Sequence, residues 1–158
     1  MTRPFDATDV DAGGKVALRC IARRDYCSSE LRSKLKQHGF EPNVAAQVVQ
    51  DLEQKGILDE RKYIENFMTY QAARGKGPVQ IRSRLSSLGF SAEVIERFVP
   101  EGRDWVAVAR EARRKKFGPV LSTIPAERLR QARFLLQRGF TTTQIRQALT
   151  ISPDTPSV

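Results

Sequence analysis

Residues 30–40 read ELRSKLKQHGF, and related stretches follow at 80–90, QIRSRLSSLGF, and at 130–140, RQARFLLQRGF. Each places a leucine four residues before a Gly-Phe pair, and successive copies are offset by 50 residues. A constant long-range period indicates one supersecondary unit repeated in tandem. Apolar residues around these stretches recur at helical spacing, and no stretch alternates as a strand would. The sequence therefore predicts an all-α fold, with three tandem three-helix repeats forming an elongated, curved array.

The repeat and its flanks divide the chain into five segments. We expect a flexible N-terminal segment at 1–14, three-helix repeats at 15–57, 58–100 and 101–150, and a flexible C-terminal tail at 151–158. The Gly-Phe pairs have a packing explanation, because a glycine can end a helix and the aromatic ring can fold back over the core. We therefore expect burial of the three repeat phenylalanines, Phe40, Phe90 and Phe140.

Helix starts carry capping chemistry. Side chains that can accept from the first free amides of a helix stand at Asp59, Ser91 and Thr141. Capping boxes are predicted for two pairs, Cys27 with Glu30 and Thr141 with Gln144. Prolines suited to the first helical turn stand at Pro42, Pro78 and Pro125. These signals predict where helices begin.

Composition excludes several classes of protein. Cys20 and Cys27 lie seven residues apart in a chain with a single histidine, so we expect free thiols and no metal site. No run of 18 apolar residues occurs, and the N-terminus lacks the apolar core of a signal peptide. We therefore expect a cytoplasmic protein without a membrane partner.

Catalytic motifs are also missing from the sequence. The stretch Gly75-Lys76-Gly77-Pro78 is rich in glycine, yet it lacks the spacing of a phosphate-binding loop and follows no strand. It reads as a connector between two helices. We expect no enzyme activity, no cofactor and no small-molecule substrate.

Positive charge is concentrated in the last third of the chain. The net charge is +9, and residues 103–149 contain eleven Lys and Arg residues against three acids. An unpaired basic surface favours a polyanionic partner, nucleic acid first. The candidate contact residues for DNA or a DNA-bound filament are Arg110, Arg113, Arg114, Lys115, Lys116, Arg128, Arg130, Arg133, Arg138 and Arg146 in the third repeat, Arg74, Lys76, Arg82 and Arg84 in the second, and Arg32, Lys34 and Lys36 in the first.

An independent DNA-binding module is the alternative function, with each three-helix unit acting as a helix-turn-helix reader. The third helix of a unit should then present polar side chains to the bases. In this chain those helices read VAAQVV at 44–49 and EVIERF at 93–98, which are apolar and partly acidic. Any DNA binding is therefore expected to lack sequence specificity, because Lys and Arg on phosphates do not read bases.

The chain resembles the bacterial RecX regulatory proteins over roughly residues 16–149. The first repeat matches that family's pattern through Arg24, Glu30, Leu31, Lys34, Leu35 and Gly39. The second matches through LDE at 58–60, Tyr63, Phe67 and RGKGP at 74–78. The third matches through Trp105, Ala109, Lys115, Phe117 and Gly139-Phe140. Cys27 stands where the family usually has serine.

The resemblance implies a regulator of the RecA recombinase in DNA repair, recombination and the SOS response. Such a protein binds the RecA filament on single-stranded DNA and lowers its ATPase, co-protease and strand-exchange activities. Its DNA partners would be single-stranded DNA and, in second place, double-stranded DNA. The sequence leaves open which repeat contacts RecA and which DNA, and whether filaments are capped or disassembled. It also leaves open a repeat-swapped dimer, because the connectors 75–78 and 118–125 could act as hinges.

Overall fold

The computed structural model describes residues 5–99 and 102–150, and within these ranges the chain folds into helices without a strand. Nine helices follow one another there: α1 (Val10–Arg23), α2 (Ser28–Gln37), α3 (Pro42–Gln54), α4 (Glu60–Ala73), α5 (Pro78–Ser87), α6 (Ala92–Phe98), α7 (Trp105–Phe117), α8 (Pro125–Gln137) and α9 (Thr142–Ala148). Along the chain these helices form three successive groups of three, which confirms the predicted all-α helical repeat. None of these helices is long and apolar enough to cross a bilayer.

Capping chemistry begins these helices where the sequence predicts it. The Ser91 side chain accepts a hydrogen bond from the backbone amide of Val94, and the Asp59 carboxylate accepts one from the backbone amide of Lys62. At α9 the box is reciprocal. The backbone amide of Gln144 donates to Thr141 Oγ1 at 3.2 Å, and the backbone amide of Thr141 donates to Gln144 Oε1 at 2.9 Å. The helices α3, α5 and α8 each begin on a proline. These predictions are confirmed.

The predicted flexible segment at 1–14 is wrong in its last five residues, which belong to α1. Asp9 caps the helix by accepting the Ala12 amide at 3.0 Å. Gly13 is buried on the inner face, where an added Cβ would stand 3.2 Å from a methyl carbon of Val48. The glycine thus allows close packing inside a helix. Residues 1–4 and the predicted tail at 151–158 lie outside the described residues.

The chain packs into two compact units, residues 1–65 and 66–158, and the division falls within α4. In the first unit α1, α2 and α3 pack on one another around Leu31, Leu35 and Phe40. Phe40, Phe90 and Phe140 are all buried, as predicted, and Cys20 and Cys27 are buried free thiols.

The Glu30 carboxylate organises one end of the first unit. Its Oε2 atom lies 3.3 Å from each of three donors, which are the Cys27 amide, Arg24 Nη1 and the Tyr63 hydroxyl. Burial and the nearby Glu30 charge raise the pKa of Tyr63 well above its usual value. This carboxylate therefore ties the start of α2 to the end of α1 and to α4.

In the second unit α7, α8 and α9 pack on one another, and the turn between α4 and α5 lies against the turn between α8 and α9. Gly139 is buried there: a Cβ added to it would stand 2.6 Å from the backbone nitrogen of Gln80. Gly89, at the corresponding position of the second repeat, has the same φ of 92° and open space around it.

Candidate nucleic-acid interface

A cleft of about 750 Å³ opens in the second unit between the end of α4, one face of α7 and the end of α8. Small apolar residues, among them Ala72 and Ala112, line its inner part, and both are buried. Its cationic lining residues are Arg74, Arg103, Lys115, Lys116 and Arg138. Glu111 is the one acid among the lining residues that the structure describes. The cleft therefore combines an inner surface of small apolar side chains with a marked excess of positive charge.

Each of the three arginines of the cleft lies against an aromatic ring. The distance from the guanidinium carbon to the ring centroid is 5.4 Å for Arg74 and Tyr70, 5.5 Å for Arg103 and Trp105, and 5.1 Å for Arg138 and Phe134. Arg74 also donates to the Tyr70 hydroxyl at 2.8 Å, and Arg138 donates to the Arg74 carbonyl at 3.3 Å. Within the described part of the chain, rings and backbone thus position these cations, and no salt bridge to a carboxylate is formed by any of the three.

The Glu111 carboxylate is held by a residue that does not line the cleft. Arg114 donates Nε and Nη2 to its two oxygens at 2.8 and 2.7 Å. This hydrogen-bonded pair lowers the pKa of Glu111 and raises the pKa of Arg114, so both groups are charged at neutral pH. Lys115 Nζ stands 4.0 Å from the same carboxylate. Most of the negative charge of Glu111 is therefore offset before a ligand arrives.

A smaller cleft of about 260 Å³ lies beside α7 and α8, and it shares Lys116 and Phe134 with the larger one. Arg130 and Arg133 also line it, and Phe117 meets Phe134 edge-on with ring centroids 5.3 Å apart. Arg130 Nη1 lies 3.7 Å from a carboxylate oxygen of Glu127. The structure thus gathers five of the predicted third-repeat contacts, Lys115, Lys116, Arg130, Arg133 and Arg138, around two adjoining clefts.

Arg113 does not belong to this surface, so its prediction as a contact residue is wrong. The residue is only 4% exposed. Its guanidinium donates to the carbonyl oxygens of Gly118, Pro119 and Val120 at 3.0, 3.3 and 3.3 Å. Desolvation and the charge of Arg114 lower the pKa of Arg113. Charge excess alone selected Arg113, because the loop that covers this side chain cannot be inferred from a run of basic residues.

Two further predicted residues hold helix ends. Arg82 Nη2 donates to the carbonyl of Val99 at the end of α6, at 2.9 Å. Arg128 Nη2 donates to the carbonyl of Leu149 at the end of α9, at 2.7 Å. A cation at a helix C-terminus satisfies free carbonyls and opposes the negative end of the helix dipole. Both side chains are half-buried, and a role for their exposed parts in binding stays a prediction.

The remaining predicted residues are not among the lining residues of the two clefts. Arg110 is exposed and donates to the Gln147 carbonyl at 3.2 Å, and Arg146 is exposed. Lys76 and Arg84 line a separate cleft of about 240 Å³ beside α5. In the first unit Arg32 and Lys36 are exposed and Lys34 is half-buried on α2. A role for these positions in binding stays a prediction.

Arg103 lines the large cleft although it was not among the predicted contact residues. It precedes α7 in an irregular stretch, outside any helical charge pattern. Only the packing of α7 beside the end of α4 brings it to the cleft. Within residues 5–99 and 102–150 the structure contains no group of three or more His, Cys, Asp or Glu side chains arranged to hold a metal ion.

Comparison with known proteins identifies the class of this helical array. Residues 15–52 match the family model described as the first three-helix domain of RecX, and residues 104–149 match the third. The "Regulatory protein RecX" of Halorhodospira halophila (strain DSM 244 / SL1) is 39% identical over 133 residues, which is 84% of this chain and 83% of that protein. That of Pseudomonas fluorescens (strain SBW25) is 36% identical over 136 residues, with 85% and 88% covered.

Solved structures agree with this assignment at the level of the fold. The crystal structure of RecX from Lactobacillus salivarius superimposes with a TM-score of 0.74 at 18% identity, over 91% of this chain and 96% of that one. A second crystal structure, titled "regulatory protein RecX", gives a TM-score of 0.72 at 16% identity, over 88% and 70%. The chain belongs to the RecX family of regulatory proteins.

Proposed function

We propose that this protein regulates the RecA recombinase by binding its filament on single-stranded DNA and lowering its ATPase, co-protease and strand-exchange activities. Family membership over more than four-fifths of the chain is the observation that carries the proposal. The protein would act without catalysis of its own. A ligand that binds one state of a polymer more tightly than another shifts the equilibrium toward that state, and no chemical step is required.

The cations gathered around the two clefts of the second unit suit such a partner. A RecA filament on DNA presents phosphates, and positive charge at the clefts would raise the rate of encounter. Lys115 and Lys116 are exposed at the end of α7, where they border the large cleft. They are therefore the side chains that we expect to meet a large anionic partner first.

The direct test is the ATPase rate of RecA on single-stranded DNA, titrated with this protein. We expect the rate to fall with added protein, and to fall much less for the double variant Lys115→Glu/Lys116→Glu. The matched control, Lys55→Glu/Lys62→Glu, makes the same charge change at exposed positions of the first unit. A rate that stays constant up to a large excess of the parent protein would refute the proposal.

The alternative is non-specific DNA binding without contact to RecA, and the cleft gives it a specific basis. A protein that only sequesters DNA would lose its effect when single-stranded DNA is supplied in excess over both proteins. Inhibition by a filament regulator would persist under that condition. Repeating the titration at rising DNA concentration therefore separates the two functions.

A further inference from the structure

We propose that the large cleft between α4, α7 and α8 binds one strand of nucleic acid through its phosphates. The inference rests on the proposed function and deepens it, because it assigns the DNA contact to one site in the second unit. Arg103, which was not among the predicted contact residues, becomes a binding residue of this site. The site would accept any sequence, since its polar groups are cations suited to phosphate oxygens rather than to base edges.

Charge excess is the first argument. Five cations line the cleft against Glu111, and that carboxylate is already bonded through both oxygens to Arg114. A solvated helix surface ordinarily mixes the two signs, whereas here the cations from three elements face one concavity. Within a concave site of low dielectric, charges of one sign focus the field on the ligand. Phosphodiesters carry one negative charge per nucleotide and match this field.

Preorganisation is the second argument. Arg74, Arg103 and Arg138 each rest against an aromatic ring at 5.1 to 5.5 Å. A guanidinium held on a ring keeps its charge and leaves N–H groups along its edge for other partners. Those groups can form charge-assisted, bidentate hydrogen bonds to phosphate oxygens. Since the rings already restrict these side chains, less rotational freedom is lost on binding.

Depth selects a single strand over a duplex. Arg103 and Arg138 are half-buried, whereas Lys115 and Lys116 stand exposed at the rim. The buried part of the lining includes small side chains such as Ala72 and Ala112, so a thin ligand can reach the deeper arginines. A duplex has its phosphates on the outside of a wide cylinder and could meet only the rim. At about 750 Å³ the cleft falls within the range of sites that enclose small-molecule ligands.

Fluorescence anisotropy of a labelled oligothymidylate, measured without RecA, tests the site. The variant Arg103→Glu/Lys116→Glu removes one deep and one rim cation, and Lys62→Glu/Arg97→Glu makes the same charge change at exposed positions outside the cleft. We expect the cleft variant to bind at least about tenfold more weakly than the control variant. The slope of log affinity against log salt should fall by about 1.4, because each single-strand phosphate contact contributes about 0.7.

A neutral pair, Arg103→Gln/Lys116→Gln, supplies the same comparison if the glutamate variant loses helicity by circular dichroism. Affinity equal to that of the parent in the cleft variants would overturn the site, as would equal weakening in the control. Two further results would overturn the assignment to a single strand. One is a duplex of the same length that binds the parent as tightly as the oligothymidylate does. The other is displacement of the oligonucleotide by ATP at micromolar ATP concentration. The RecA ATPase assay, run in parallel, tests the proposed function separately.

Discussion

The backbone amide of Gly77 donates a 2.7 Å hydrogen bond to the carbonyl oxygen of Arg138, 61 residues away in the next repeat. Val79 donates its amide to the Gly139 carbonyl at 2.9 Å, and Arg138 returns a side-chain bond to the Arg74 carbonyl at 3.3 Å. The glycine-rich turn that the sequence presents as a connector is therefore packed against the turn that follows α8. This junction also sets the distance between two arginines of the large cleft, Arg74 and Arg138.

Replacing Gly77 by alanine should destabilise this junction severely. The new methyl group would collide with the carbonyl group of Gly139 and stand 2.6 Å from the Phe140 nitrogen. Since backbone rather than a flexible side chain must move, we expect a loss of about 3 kcal/mol in the free energy of unfolding, the upper end of overpacking costs. Urea denaturation checks this, with Gly102→Ala as the control because nothing lies within 4 Å of its added Cβ. Equal stability of the two variants would contradict the packing described.

Substitution of Arg113 should destabilise the protein and substitution of Arg114 should not, although the two residues are neighbours in the sequence. Arg113→Met removes the donors to three loop carbonyls, and unsatisfied buried groups cost about 2–3 kcal/mol in total. Arg114→Ala removes an exposed ion pair and should change stability little. Thermal unfolding compares them, and proteolysis should cut the 118–124 loop faster in the Arg113 variant alone. Similar melting temperatures for the two variants would show that Arg113 does not hold the loop.

Tyr63 should make stability depend on pH in the alkaline range. Its raised pKa means that the folded chain keeps the phenolic proton where the unfolded chain loses it, above a pH of about 10. The stabilisation is complete below that pH, and the free energy of unfolding falls as the pH rises further. Urea denaturation between about pH 9 and pH 11 should give a shallower decline for Tyr63→Phe than for the parent. Tyr70→Phe, at a 58% exposed tyrosine, serves as control and should keep the parental slope.

Glu111 should weaken nucleic-acid binding in the parent protein, because it is the one acid among the described residues that line the cleft. Glu111→Gln frees Arg114 and Lys115 and should raise the affinity for oligothymidylate about threefold at low salt, with the gain shrinking as salt screens the cleft. Glu93→Gln makes the same charge change on the exposed surface of α6. A gain as large in Glu93→Gln would assign the effect to net charge rather than to the cleft.

Local chemistry made the fold predictable. The 50-residue period is visible in the sequence itself, and the caps at Ser91 and Thr141 and the prolines at the first turn of α3, α5 and α8 each act within a few residues of their own position. The start of α1 was missed because two glycines suggest a flexible segment. Their effect is outweighed by the Asp9 cap and by the packing of Gly13 on Val48.

The site was predictable only in part, because it depends on contacts between distant helices. Charge excess selected Lys115, Lys116 and Arg138 as contact residues, and the structure places all three at a basic cleft, while their role in binding stays a prediction. It could not exclude Arg113, whose burial depends on the loop at 118–120, nor select Arg103, which reaches the cleft through the packing of α7. Helical spacing reports which side chains share a face. It does not report whether another segment covers that face.

Gly89 and Gly139 occupy the same column of the repeat and share one backbone conformation, yet their surroundings differ. Replacing Gly89 strains the local backbone alone, whereas replacing Gly139 also forces the start of α5 away. The two copies of this turn therefore differ in the substitutions that they tolerate. Chimaeras that transplant the turn of the second repeat should be tolerated at sites facing solvent. In the third repeat such a graft succeeds only if it keeps a glycine at position 139, where the backbone of Gln80 leaves no room for a side chain.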